Sequence, residues 1–217
     1  MKNILSNWNT MKDFLKRLER RASKNVENMC KLEELTNSEK TYWKFSQSVS
    51  GRSCEKFYTD YQEGKISEAK DDDVWLSFVG EEDIVKFVGY GDVLTKICLD
   101  KNNKDFQKIC KSKVKIRRAA SSIIYECKYV LVEKNYTLDK KESIRLIFSM
   151  CTDFDIPFLL GRYNSGLTEC DLVKKCEKFG YKDSLMLLKY LSKKIDEGSD
   201  ITCEKVLKFI DDYEYEF

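Results

Sequence analysis

The feature that most restricts the fold of this chain is its shortage of residues that interrupt regular structure. Its 217 residues include one proline, Pro157, and nine glycines. Proline and glycine are the residues that most often end helices and form tight turns. Their scarcity favours long helices over many short strands joined by turns, and it predicts an all-α fold.

The clearest helical pattern lies near the C-terminus, where the chain reads GYKDSLMLLKYLSKKI from Gly180 to Ile195. Apolar residues recur there every three or four positions, with lysines and a serine between them. This spacing is typical of a helix with one buried face. The predicted stripe consists of Tyr181, Leu185, Leu188, Leu191 and Ile195.

Apolar spacing and capping signals predict further helices along the chain. Thr36 and Glu39 form a capping box, Asp139 with Glu142 suggests another cap, and Gly180 is placed to end a helix. The predicted helices cover residues 8–31, 37–61, 74–99, 105–133, 140–154, 168–178, 181–195 and a short segment from 202 onward.

Composition indicates a soluble globular protein without a membrane span. Apolar residues make up 42% and charged residues 35% of the chain, and the net charge of +2 is too small to attract nucleic acids or membranes in general. Nine scattered cysteines form no CxxC pair, and there is no histidine, which disfavours a zinc site. We therefore expect reduced thiols, a cytoplasmic location, and neither metal nor cofactor.

Motifs of the common enzyme classes are absent from the sequence. It contains no dinucleotide-binding glycine motif, no P-loop, no nucleophile elbow and no zinc-protease motif. The lack of histidine also removes the commonest acid–base residue. We therefore expect a protein that is not an enzyme.

A basic segment, CKSKVKIRR, is the one unusual charge feature. Lys111, Lys115 and Arg118 recur at spacings that would place three cations on one helix face. Such a face is either simply solvated or binds phosphate groups, and spacing does not separate a phosphopeptide from a nucleic-acid backbone. The low net charge and the lack of interleaved aromatic residues count against nucleic acid.

Several short motifs, in matching order, resemble those of 14-3-3 proteins. Residues 181–184 (YKDS) resemble the opening of that family's last helix, and residues 34–40 (ELTNSEK) resemble the start of its third helix. Further similar stretches are 16–29, 46–52, 91–94 and 143–146. The resemblance implies one antiparallel helical cup of about seven to nine helices over residues 1–217, dimerisation through residues 1–35, and an adaptor that binds phosphoserine or phosphothreonine peptides.

The resemblance also implies which residues line the groove. Gln47 matches a basic groove residue, and Arg52 lies at or near another. Lys128 and Tyr129 match an Arg–Tyr pair in one alignment. A gap-free alignment instead places that pair on Tyr125 and Glu126, and it places Arg118 on another groove lysine. The family's two groove asparagines match Cys151 and Lys194. The full candidate set is Arg52, Arg118, Lys128, Tyr129, Gln47, Cys151 and Lys194.

These matches imply a partly altered phosphate pocket, because Gln47 is uncharged and Lys128 lacks the arginine fork. The expected partners are phosphorylated proteins or peptides and a second copy or relative of the chain. Two alternatives stay open at this stage. One is a helical structural or interaction protein that does not bind phosphopeptides, and the other is a polyanion binder that uses residues 111–118.

Overall fold

The computed structural model describes residues 28–30, 40–49, 52–54, 60–69, 75–99, 114–119, 122–162, 171–196 and 201–214. Within these residues, nine strands form one antiparallel sheet, and α-helices follow the sheet in sequence. The predicted all-α helical cup is therefore wrong, and the fold is mixed α/β. None of the helices in this part of the chain combines the length and hydropathy needed to cross a bilayer.

The first 137 residues supply the strands and the later residues supply the α-helices. The strands are β1 (Asn28–Cys30), β2 (Tyr42–Val49), β3 (Arg52–Cys54), β4 (Ile66–Glu68), β5 (Leu76–Gly80), β6 (Val93–Cys98), β7 (Val114–Ala119), β8 (Ser122–Cys127) and β9 (Tyr129–Thr137). A 3₁₀ helix (Glu81–Tyr90) joins β5 to β6. The α-helices are α1 (Lys141–Ser149), α2 (Ile156–Leu159), α3 (Leu172–Phe179), α4 (Lys182–Asp196) and α5 (Cys203–Asp212).

The strands follow the order β1-β7-β8-β5-β2-β6-β9-β4, and β3 pairs with the end of β2. The pairings are antiparallel. Strand β2 runs beside β6 from Tyr42 to Ser46, and β6 pairs with β9 with a register shift between Lys96 and Ile97. Runs of strands followed by runs of helices are typical of an α+β arrangement.

Both faces of the sheet are buried in apolar clusters. Trp43 and Phe45 of β2 pack in the cluster that includes the helices, whereas Tyr42 belongs to a second cluster with Phe78 and Tyr125. A strand buried on both faces reads as a continuous apolar run without alternation. This explains why the predicted helices over 37–61, 74–99 and 105–133 are wrong where the structure has strands, although residues 81–90 within the second segment form a 3₁₀ helix.

The helices after residue 140 agree more closely with the sequence prediction. Helix α3 begins after Asp171, whose carboxylate accepts a hydrogen bond from the Lys174 backbone N–H, and ends at Gly180 with φ +74°. Helix α5 begins after Thr202, which caps it through its hydroxyl oxygen. Helix α1 is shorter than predicted. In α4 the predicted Leu188, Leu191 and Ile195 are buried, together with Leu187, which the predicted stripe omits.

Most of the predicted N-terminal helix and of the dimerisation segment 1–35 lies outside the described residues. The described part, Asn28–Cys30, is strand β1 and not a helix, and it pairs with residues Val114 to Ile116 of β7. The predicted helical end near residue 31 is therefore wrong. The dimer itself stays a prediction.

A candidate binding cleft between two strands

A cleft opens where strands β2 and β5 stop pairing. Their register joins Tyr42 to Gly80 and Trp43 to Val79, while β2 continues beside β6 as far as Ser46. The 3₁₀ helix begins directly after β5 and packs against β2. The resulting space has a volume of about 240 Å³. It is lined by Trp43, Lys44, Phe45, Ser77, Phe78, Val79, Ile84, Phe87, Tyr90 and Ile124.

Trp43, which lines the cleft, carries a buried hydrogen-bond donor. The side chain is 3% exposed, and its indole Nε1 has no hydrogen-bond partner among the described residues. A buried donor left unsatisfied costs about 1–3 kcal/mol in folding free energy. An acceptor that enters the cleft and reaches this N–H would remove that cost.

Asp83 fixes the start of the 3₁₀ helix against the β8 strand. Its carboxylate lies 2.7 Å from Lys86 Nζ and accepts a hydrogen bond from the Ile123 backbone N–H at 2.9 Å. Burial alone would raise the pKa of this carboxyl, but Lys86, the Ile123 N–H and Ser122 together hold the pKa below its ordinary value. The charged carboxylate therefore holds this wall of the cleft in place.

The other end of the 3₁₀ helix carries the aromatic rim of the cleft. Lys175 of α3 donates a hydrogen bond to the Gly89 carbonyl at 2.5 Å. The rings of Phe87 and Tyr90 are 5.7 Å apart, and Tyr90 is 62% exposed. A large aromatic side chain thus stands in solvent beside an apolar cleft whose wall is anchored at both ends.

Lys44, which also contributes to the cleft lining, belongs to a buried polar network. It is 4% exposed, and its Nζ donates to Tyr61 Oη at 2.6 Å. Asn135 Nδ2 donates to the Tyr61 carbonyl, and Thr95 Oγ1 donates to Asn135 Oδ1, both at 2.7 Å. These bonds connect β2, β6, β9 and the segment before β4, so the network ties the sheet together.

Among the described residues, no three His, Cys, Asp or Glu side chains come together as ligands for a metal ion.

Four of the residues predicted from the sequence lie in two places on the sheet. Gln47 and Arg52 lie on the paired strands β2 and β3, but Gln47 pairs with Cys54 and Arg52 pairs with Val49, two register steps away. Lys128 lies between β8 and β9 with its Nζ 5.4 Å from the centre of the Trp75 ring. Tyr129 opens β9, and its hydroxyl donates to Glu68 Oε1 at 2.9 Å.

The other three predicted residues lie on separate elements. Arg118 is in β7 opposite Ile123, Cys151 follows α1, and Lys194 of α4 lies with its Nζ 5.7 Å from the Tyr190 ring. The seven residues thus occupy five parts of the fold. Residues 114–119 are a strand, so the predicted helix is wrong for Lys115 and Arg118, whereas Lys111 lies outside the described residues.

No protein-family model matches the chain, and neither does any curated protein or solved structure. The predicted 14-3-3 membership is wrong, because that family is all-helical and this chain folds around an antiparallel sheet. Of the segments that carried the resemblance, 46–49 lies in β2 and 93–94 in β6, whereas 143–146 and 182–184 do lie on helices. The short motifs shared with that family therefore occur in a chain with a different fold.

Sequence reasoning missed the cleft residues. The stretch YWKFSQSV of β2 is rich in aromatic residues, and aromatic and β-branched enrichment is a strand signal. That signal identifies the strand but not the cleft. The cleft depends on where β2 and β5 separate, which is set by pairing between residues far apart in the sequence.

Proposed function

We propose that this chain is a non-catalytic protein-interaction module that takes one apolar side chain of a protein partner into the cleft between β2 and β5. The observation that carries the proposal is the unsatisfied indole N–H of Trp43, a residue that lines a cleft formed mostly by apolar side chains. The partner's backbone carbonyl supplies the acceptor for this N–H.

The size of the cleft favours a side chain over a substrate or cofactor. Its volume is about 240 Å³. Small-molecule and cofactor sites usually span about 300–1,000 Å³, whereas an apolar cavity of about 150 Å³ holds a benzene ring. A single leucine, phenylalanine or similar side chain matches this range.

The rim and the walls favour binding to a protein. Tyrosine and tryptophan are enriched among the residues that dominate protein–protein binding energies, because they supply large rigid contact areas. Tyr90 is exposed at the rim, and the bonds of Asp83 and Lys175 anchor the 3₁₀ helix that carries it. A wall held in place before binding reduces the entropy lost on association.

The test follows the indole N–H signal of Trp43 by two-dimensional NMR. The sequence has three tryptophans, and Trp43→Phe assigns the signal. The probes are N-acetyl-phenylalaninamide and N-acetyl-leucinamide, with N-acetyl-glycinamide as the control that has the acceptor but no apolar side chain. We expect the first two to shift the Trp43 signal at millimolar concentration and the glycine compound to leave it unchanged.

Two variants locate the binding. Tyr90→Ala should weaken the response to N-acetyl-phenylalaninamide, whereas Phe154→Ala, which removes another exposed aromatic residue outside the cleft lining, should leave it unchanged. A folded protein whose Trp43 signal does not respond to either apolar probe would overturn the proposal.

Phosphopeptide binding stays a prediction, but membership of the 14-3-3 family no longer supports it. An array of paired phosphorylated and unphosphorylated peptides separates it from the cleft proposal. Binding that follows an apolar residue in the peptide regardless of phosphorylation supports the cleft. Binding that requires phosphate and is lost in Arg52→Ala would support the phosphopeptide prediction instead.

A further inference from the structure

Two thiols lie in contact at the junction of helices α1 and α5. Cys151 follows the end of α1, Cys203 is the first residue of α5, and their Sγ atoms are 3.4 Å apart. Cys151 donates to the Phe148 carbonyl, and Cys203 Sγ lies 3.2 Å from the Cys151 carbonyl oxygen. Both residues are free thiols and partly exposed.

We propose that Cys151 and Cys203 are an oxidative modification site that closes to a disulfide on reaction with a small disulfide such as oxidised glutathione. The thiolate of one cysteine attacks the glutathione disulfide and releases one glutathione thiolate. The second cysteine then attacks the protein sulfur of the mixed disulfide and releases the other. The two protein thiols together lose two protons and two electrons, which the two glutathione molecules take up.

The local geometry allows this bond to form with a small movement. A disulfide has an S–S length of about 2.05 Å, so the sulfurs need to approach by roughly 1.4 Å. Cys151 lies in the non-helical segment after α1. Such a segment adjusts more easily than a strand or a helix interior, which is where Cys127 and Cys176 lie.

The loop before α2 positions the start of α5 beside Cys151. Asp153 Oδ1 accepts a hydrogen bond from the Cys203 backbone N–H at 2.6 Å, and Thr202 caps the helix. The thiols react slowly near neutral pH, because burial raises the pKa of both and the nearby Asp155 carboxylate adds to the rise. The reaction is therefore run in mild alkali, where the thiolate fraction is larger.

Closure would bind the C-terminal helix covalently to α1. Near the other end of α5, a pair of exposed hydrogen bonds joins Arg145 to Asp211, and a partly buried one joins Lys141 Nζ to the Tyr213 carbonyl. Cys151 and Cys203 are 52 positions apart in the sequence, so a bond between them closes a long loop. Such a cross-link is expected to raise the Tm by on the order of 5–10 °C.

The test treats the full chain with oxidised glutathione at about pH 8.5, alkylates the remaining thiols and digests with trypsin without reduction. Residues 146–162 and 195–205 are tryptic peptides that contain one cysteine each, Cys151 and Cys203. We expect these two peptides to be recovered linked, with a mass two hydrogens below their sum. The rise in Tm should disappear on addition of dithiothreitol.

Two variants serve as controls. Cys203→Ser should leave Cys151 as a mixed disulfide with glutathione and remove the rise in Tm, whereas Cys176→Ser should keep the link. Recovery of Cys151 and Cys203 as separate alkylated or glutathione-bearing peptides in the folded wild-type protein would overturn the proposal. So would linkage of either residue mainly to a different cysteine.

Discussion

Tyr181 Oη donates a hydrogen bond to Asp92 Oδ2 at 2.5 Å, and this contact joins the helical layer to the sheet. Asp92 is fully buried just before β6, and its carboxylate also accepts hydrogen bonds from the Ser48 backbone N–H and hydroxyl. One carboxylate therefore holds the end of β2, the start of β6 and the entry to α4.

Tyr181→Phe should lower the free energy of unfolding by about 1.5–3 kcal/mol, because it removes a hydrogen bond to the buried Asp92 carboxylate and keeps the ring. The matched control is Tyr190→Phe, whose ring packs on Tyr213 at 4.9 Å. It should change the free energy by less than about 0.5 kcal/mol. Urea denaturation measures both, and equal losses for the two variants would contradict the prediction.

Alkaline pH should weaken the same contact. Burial first, and the hydrogen bond to Asp92 second, raise the pKa of Tyr181 from 10.0 to about 12. The stabilising term is therefore fully present below pH 10, where the unfolded chain keeps its tyrosine proton, and is lost as pH rises toward 12. We expect the stability difference between wild type and Tyr181→Phe to shrink over this range, and a constant difference would contradict it.

Much of the helical part could be predicted from the sequence because its signals are local. Asp171 caps α3 within one turn and Gly180 ends it in the left-handed conformation that favours glycine. The stripe of α4 faces a single core, so its period is visible in the sequence.

The sheet could not be predicted in this way, because the pattern of its strands is set by distant neighbours. Burial on both faces removes the alternation from β2 and β5. The scarcity of glycine and proline was also misleading, since β8 and β9 are separated by Lys128 alone. The position of the cleft depends in addition on the pairing register of β2 and β5, because the cleft opens just beyond the Trp43–Val79 pair.

Asp83→Asn should lower stability by about 1–2 kcal/mol near neutral pH, because the ion pair to Lys86 is lost while the amide oxygen still accepts from Ile123. The pKa of Asp83 lies below its ordinary value of 3.8. Its contribution is therefore present above that value and lost as pH falls through the folded-state pKa. Urea titrations from pH 7 down to about pH 3 should show the difference between wild type and variant shrinking.

Glu82→Gln is the control for Asp83→Asn. Glu82 lies beside Asp83 and pairs with Lys40 at 3.1 Å, but both of those side chains are about half exposed. Exposed pairs contribute about 0–1 kcal/mol. A loss in Glu82→Gln equal to that in Asp83→Asn would show that burial of Asp83 is not the cause.

The N-terminal segment should form a dimer contact. Its apolar residues from Met11 to Val26 recur at helical spacing and outnumber what one helix pair readily covers, and a symmetric partner is the common solution. Deleting residues 1–27 spares strand β1 and should convert a dimer to a monomer at micromolar concentration in sedimentation. Leu15→Glu with Leu18→Glu should do the same, whereas Arg17→Glu should not. A full-length monomer would refute this prediction.

Gly91→Ala tests the close approach of the chain just before Asp92. A Cβ atom at Gly91 would lie 1.9 Å from the Ser46 carbonyl oxygen. The φ of Gly91 is −169°, an extended conformation that any residue adopts, so the cost is steric. The Asp92 N–H donates to the same carbonyl at 3.0 Å, which leaves the backbone little room to move. We expect a loss of about 3 kcal/mol or more.

Gly180→Ala provides the contrasting case, because the cost there is conformational. No atom lies within 4 Å of a Cβ at Gly180, but its φ is +74°. The expected loss is about 1–2 kcal/mol.

If Gly91→Ala displaces Asp92, it should already break the hydrogen bond to Tyr181, so adding Tyr181→Phe should cost little more. Full additivity of these two losses in urea denaturation would show that Asp92 keeps its position.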